Sequence, residues 1–151
     1  MVKIKLKEHN FSKITFSEFK TNAGSLFNLT EPLEFQTPTV SIVSIDKMYI
    51  TLQLLPSFAC EHFYKKIMEF EKCVKASIEN NGFISIFDDL SFKIKQNDDF
   101  KIFLNGRRFN NFNLTPGMEV ICLLSLNKVW KNMYNVINYN IKINEMVIKK
   151  N

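Results

Sequence analysis

Residues 114 to 148 constrain the fold more than any other stretch, because they read as two long strands joined by one turn. Thr115-Pro116-Gly117 is turn chemistry: proline presets φ, and glycine accepts the positive φ that other residues avoid. The outgoing arm from Met118 to Leu126 is apolar on both faces except at Glu119 and Ser125, so its middle should be buried. It then becomes Asn127-Lys128-Val129-Trp130-Lys131 and should turn at Asn132 to Asn135. The return arm alternates, with Ile137, Tyr139, Ile141, Ile143 and Val147 expected on a core face that Glu145 interrupts. Asn138, Asn140, Lys142, Asn144 and Met146 are expected on a face that meets water or a ligand.

The rest of the chain supplies one helix and several further strands. Val2 to Lys7 and Lys13 to Phe19 are candidate strands, the first with lysine at every second position, a pattern that also protects a sheet edge. Val40 to Ile45 and Tyr49 to Leu54 read as a hairpin turning at Asp46-Lys47. Ser57 is a helix N-cap, and Ala59, Phe63, Ile67, Phe70, Val74 and Ile78 form one apolar stripe, which places a helix over about 57–79. Glu61 with Lys65 and Glu71 with Lys75 would pair on its wet side. After Asn80-Asn81-Gly82 the period returns to two, giving strands over 83–87, 91–96 and 100–104 separated by acidic turns, and then the hairpin signal Asn105-Gly106. The whole chain, 1–151, is expected to be a single α+β domain, mainly β.

Composition excludes several classes of function. Cys60, Cys73 and Cys122 are odd in number and lack CxxC spacing, and with only His9 and His62 they make no metal-ligand set. Asp88-Asp89 and Asp98-Asp99 are better explained as turns than as a metal site, and nucleotide-loop and nucleophile-elbow motifs are missing. No catalytic residue, cofactor or metal is therefore expected, and the protein is read as no enzyme. No apolar run approaches a membrane span, and the N-terminus lacks a secretory apolar region, so an intracellular, unsecreted protein with reduced thiols is expected.

Charge and aromatic placement carry the functional reading. Residues 91–151 hold ten Lys/Arg against four Asp/Glu, whereas residues 1–90 hold ten against eleven. A localised positive field suits a polyanion, although lysine-rich codon bias would also produce a solvated basic surface. Alternation puts Lys93 and Lys95 on one side of a strand, and Lys101 and Phe103 on one side of the next. Arg107 and Arg108 follow with Phe109 and Phe112, and Lys128, Trp130, Lys131 and Tyr134 repeat the combination at the C-terminal turn. Cations for backbone phosphates among π-faces for unpaired bases are what single-stranded nucleic acid binding requires. The competing reading is that individual rings, in a chain with fifteen phenylalanines, are simply core.

The segment Leu114 to Lys131, then Tyr134 and the alternating Tyr139-Asn-Ile-Lys-Ile, resembles the ending of OB-fold single-stranded DNA-binding proteins of large DNA viruses. Phe92-Lys-Ile-Lys is similar to their preceding lysine-bearing strand, and Asn135 stands where a glycine might follow the tyrosine. The resemblance covers roughly residues 83 to 147. It implies an OB-like β-barrel with the long helix packed against it, and nucleic-acid contact at Lys93, Lys95, Trp130, Lys131 and Tyr134. The expectation is thus a non-catalytic, viral single-stranded DNA-binding protein acting in DNA replication, with further copies of the chain or viral replication proteins as other partners. The alternative is a β-rich virion or assembly protein whose surface meets another protein.

Overall fold

The structure, a computed structural model, describes residues 11–110 and 113–149. The expected strand Val2 to Lys7 and the ring of Phe112 lie outside the described residues. Among the described residues the protein is mainly β, with 57% in strands, a closed five-stranded barrel and a single α-helix. It has the OB-like architecture expected from the sequence.

The barrel strands are, in chain order, β3 (Val40–Ile45), β4 (Tyr49–Leu54), β7 (Ser91–Leu104), β9 (Glu119–Asn132) and β11 (Ile141–Ile148). Around the barrel they run β3-β4-β7-β11-β9, and β9 returns to β3 where Val40 faces Val120 and Ser41 faces Glu119. All neighbours are antiparallel except β7 and β11, which run parallel with Ile94 opposite Ile141. Alternation sends Ile50, Leu52, Phe92, Ile94, Cys122, Leu124, Ile141 and Ile143 inward, each at most 2% exposed. Burying each large apolar side chain is worth about 1.5–3 kcal/mol.

A register break where β11 passes Asn144 bends the barrel and modifies the sequence reading in two ways. Residues 91–104 form one strand rather than two: Asn97 to Phe100 bulge out opposite Asn144 between the pairs Gln96↔Ile143 and Lys101↔Glu145. The Asn97 amide donates to Asn144 Oδ1 at 2.9 Å, tying the bulge down. This slip inverts the phase of β11 after Asn144, so Met146 is fully buried and Val147 is 48% exposed, the reverse of strict alternation.

A second sheet region leaves the barrel through β9. β1 (Phe16–Thr21) and β2 (Gly24–Gln36) form a hairpin, and β2 lies along β9 from Gly24↔Asn132 to Gln36↔Leu123. The sequence gives no strong strand signal over Leu26 to Gln36, because Glu31-Pro32 interrupts it. Pro32 falls within the register break between Asn28 and Leu33, where a missing N–H costs no ladder bond. On the other side of β9 lie β10 (Val136–Tyr139) and, beyond it, the two-residue β5 (Gly82–Phe83). Two more short strands, β6 (Phe87–Asp88) and β8 (Arg107–Arg108), pair with β7.

The helix α1 (Phe58–Ser77) starts as the sequence predicts, with Ser57 Oγ accepting from the Cys60 N–H at 3.1 Å. Phe63, Ile67, Phe70 and Val74 are buried, and Cys60 rather than the exposed Ala59 completes the stripe. Phe63 packs on Phe35 and Phe92, and Phe70 on Phe11 and Tyr139, so one end of the barrel and the inner side of the β9–β10 region share this helix. Glu61 pairs with Lys65 at 3.1 Å as expected. Glu71 does not pair with Lys75. It is 1% exposed, and its Oε2 accepts from Ser85 Oγ, the Ile86 N–H and the Tyr139 hydroxyl.

Candidate functional site

β9 is long enough to belong to both sheet regions, and its solvent side forms a shallow cleft where it passes from one to the other. Cross-strand partners point to the same face, so the register defines the surface. In the barrel, Tyr49, Lys95, Lys142, Ser125 and Glu34 form one transverse row over β4, β7, β11, β9 and β2. Beyond the barrel, Phe19, Leu26, Trp130 and Asn138 form a second row over β1, β2, β9 and β10. The cleft of about 100 Å³ lies between the rows, lined by Lys95, Lys128, Lys142, Trp130, Asn127, Asn138 and Asn140 together with Leu26, Ser125 and Tyr139.

Its chemistry is complementary to an anion with planar groups attached. Lys95, Lys128 and Lys142 supply cations, three asparagines supply paired amide donors and acceptors, and the half-buried indole supplies a flat apolar surface. None of these lysines, nor Lys93 on the same side of β7, takes part in an ion pair among the described residues; the ion pairs involve Lys20, Lys65 and Lys66. The indole is set by Gly24: a Cβ there would stand 2.1 Å from Lys131 O and 3.0 Å from Trp130 Cζ2, so only glycine lets β2 approach this closely.

The sequence-derived candidates divide into three groups. Lys95, Lys128 and Trp130 line the cleft, and Lys93, opposite Thr51, extends it along β7. Lys101, Phe103, Arg107 and Arg108 lie past the bulge at the far end of β7 and on β8. There the Arg108 guanidinium sits 5.9 Å from the Phe103 ring centre, and Asn105-Gly106 makes the turn with positive φ at both residues. At the β9–β10 turn, Tyr134 is 73% exposed, its N–H held by Asn132 Oδ1 at 2.9 Å. Lys131 points to the opposite face from Trp130. Its Nζ donates to Glu79 O at 3.0 Å just beyond α1 and lies 5.6 Å from the Phe27 ring centre.

Lys142 and the three asparagines were not among the sequence-derived contacts. The signal for Lys142, Asn138 and Asn140 was the polar face of the return arm, which the structure places against Trp130 and Lys95; Asn127 lies on the outgoing arm. A larger cleft of about 630 Å³ lies beside the start of α1, between Leu54, Leu55, Pro56, Phe58 and Leu90, but it contains no cation. Among the described residues no group of His, Cys, Asp or Glu is placed to hold a metal ion, and no helix is long and apolar enough to cross a membrane. Comparison with protein-family models and with curated proteins finds no match to this sequence.

Proposed function

We propose that this protein binds single-stranded DNA without catalysis, through the lysine- and asparagine-lined cleft around Trp130. The observation that carries this reading is the convergence of Lys95, Lys128 and Lys142, none of them ion-paired among the described residues, on one half-buried indole. Unpaired bases expose a π-face for the indole and amide edges for the asparagines, while the lysines neutralise phosphates. The OB-like barrel supports the same reading, since such barrels bind oligonucleotides over their second and third strands and at the loops joining strands one to two and four to five. Here those strands are β4 and β7, carrying Lys93 and Lys95, and those loops hold Lys47 and Tyr134.

The test is a titration of oligothymidylate against the full chain at several salt concentrations, with duplex DNA of the same length as the comparison. Single strands should bind more tightly, with the logarithm of affinity falling by about 0.7 per decade of salt for each phosphate contacted. Equal affinity for duplex would mean charge attraction without base contact. No binding at low salt would overturn the proposal and turn attention to a protein partner.

A further inference from the structure

We propose that the free edge of β1 pairs antiparallel with β1 of a second copy of this chain, across a twofold axis at Phe19. Among the described residues β1 pairs with β2 alone, and none of them hydrogen-bonds as a strand to its other edge. The Thr30 N–H donates to Thr15 O at 3.0 Å, which fixes the ladder phase: Thr15, Ser17, Phe19 and Thr21 direct their backbone groups toward β2. Phe16, Glu18 and Lys20 therefore direct theirs outward.

Among the registers that keep this phase and lie within two residues of the strand's centre, one also suits the charges. With Phe19 opposite Phe19 of the second copy, Glu18 faces Lys20 and Lys20 faces Glu18, and both are outward-bonding positions that can exchange N–H and C=O. A shift by two residues either way would set Glu18 against Glu18, or Lys20 against Lys20, and like charges directly opposite are destabilising. Charged side chains usually protect an edge strand from pairing, but this alternation is self-complementary in one register and repulsive in its neighbours. Phe19, a large ring left 64% exposed, would meet its twin at the close, non-hydrogen-bonded position. An interface of one six-residue strand is below about 1,000 Å², so the association is weak and concentration-dependent.

Phe19 lies in the same cross-strand row as Leu26 and Trp130, so the twofold would place both clefts on one face of a continuous sheet. Resting on the function proposed above, the pair would hold two single strands side by side in opposite polarity.

The association itself is tested without DNA, so that its failure is distinct from failure to bind. Sedimentation equilibrium of the full chain, from micromolar to near-millimolar concentration, should show its mass rising toward that of two chains. Glu18→Lys should weaken this roughly tenfold or more, since the twofold repeats the like-charge contact. Glu18→Lys/Lys20→Glu should restore it, with unchanged melting confirming the fold. Phe19→Cys should form an intermolecular disulfide under mild oxidation while the native chain, whose cysteines are buried or half-buried, does not. A chain monomeric throughout, a charge swap without restoration, or a dimer in which Phe19→Cys fails to cross-link would each overturn the proposal.

Discussion

The Tyr139 hydroxyl donates to Oε2 of Glu71 at 2.5 Å, joining the strand β10 to the middle of the helix inside the core. The same oxygen takes the Ser85 hydroxyl and the Ile86 N–H, each at 3.0 Å, so one buried carboxylate fastens two separate segments to the helix. Tyr139→Phe should lower stability by about 1.5–3 kcal/mol, the worth of a hydrogen bond to a charged group, measured by urea unfolding. Glu71→Ala should lower it further because it strands all three donors.

Burial, and then the neighbouring Glu71 carboxylate, hold the Tyr139 hydroxyl well above the ordinary tyrosine range. The unfolded chain therefore loses this proton near the ordinary value of 10.0 while the folded chain keeps it. Stability from this site is complete below that pH and falls as pH rises above it. In alkaline unfolding, Tyr139→Phe should show a shallower decline above that pH than the parent chain. An identical slope would mean the hydroxyl ionises equally well in both states.

Gly24→Ala should disturb the cleft from below. The added methyl would press on Lys131 O and the indole edge, and φ at this residue is +149°, which other residues rarely adopt. The expected result is a lower melting temperature together with a shifted Trp130 emission, and Trp130 is the sole tryptophan that can report it. An unchanged emission maximum would show that β2 can retreat without moving the ring.

The two adjacent residues Trp130 and Lys131 should separate function from packing. Trp130→Ala should weaken oligothymidylate binding by about 1–3 kcal/mol, and Lys142→Ala should reduce the salt slope by about one contact's share. Lys131→Ala should leave binding nearly unchanged while lowering stability, since its ammonium binds a carbonyl beyond the helix end. Comparable binding losses from Lys131 and Lys142 variants would place the ligand elsewhere.

Phe70 is fully buried and edge-on to Phe11, with Tyr139 tilted against its other side. Phe70→Ala should cost about 3–5 kcal/mol in urea unfolding, the range for a large ring removed from a packed core. A loss of only a few tenths would mean that the helix is dispensable to the barrel.

Much of this architecture was legible because its signals are local. The Ser57 cap, the Phe63-Ile67-Phe70-Val74 stripe and the β3–β4 hairpin depend on residues a few positions apart. The long strand β2 was not, because a register break absorbs Pro32 and only pairing with β9 makes the segment a strand. The opposite exposures of Met146 and Val147 likewise depend on a bulge set by Asn97 and Asn144, forty-seven positions apart. For the site, alternation identified Lys93 and Lys95, and the cluster of lysines at the C-terminal turn identified Trp130, but only the sheet order brings Lys142 beside Lys95. Glu71 was misread as a surface partner of Lys75 because its three donors come from beyond the helix.

The position of β11 bears on how the protein is made. It is the last barrel strand in chain order, yet it lies between β7 and β9 and hydrogen-bonds to both. During synthesis, β3, β4 and β7 emerge with no means of closing the barrel, and the stretch Val120 to Ser125 of β9 lacks its β11 partner until the ribosome has passed Ile148. At about 5–20 residues per second, the interval from Val40 to Ile148 lasts roughly 5–20 s. Throughout that interval the nascent chain carries apolar strands without their central partner, so its folding is completed after translation of the barrel rather than alongside it.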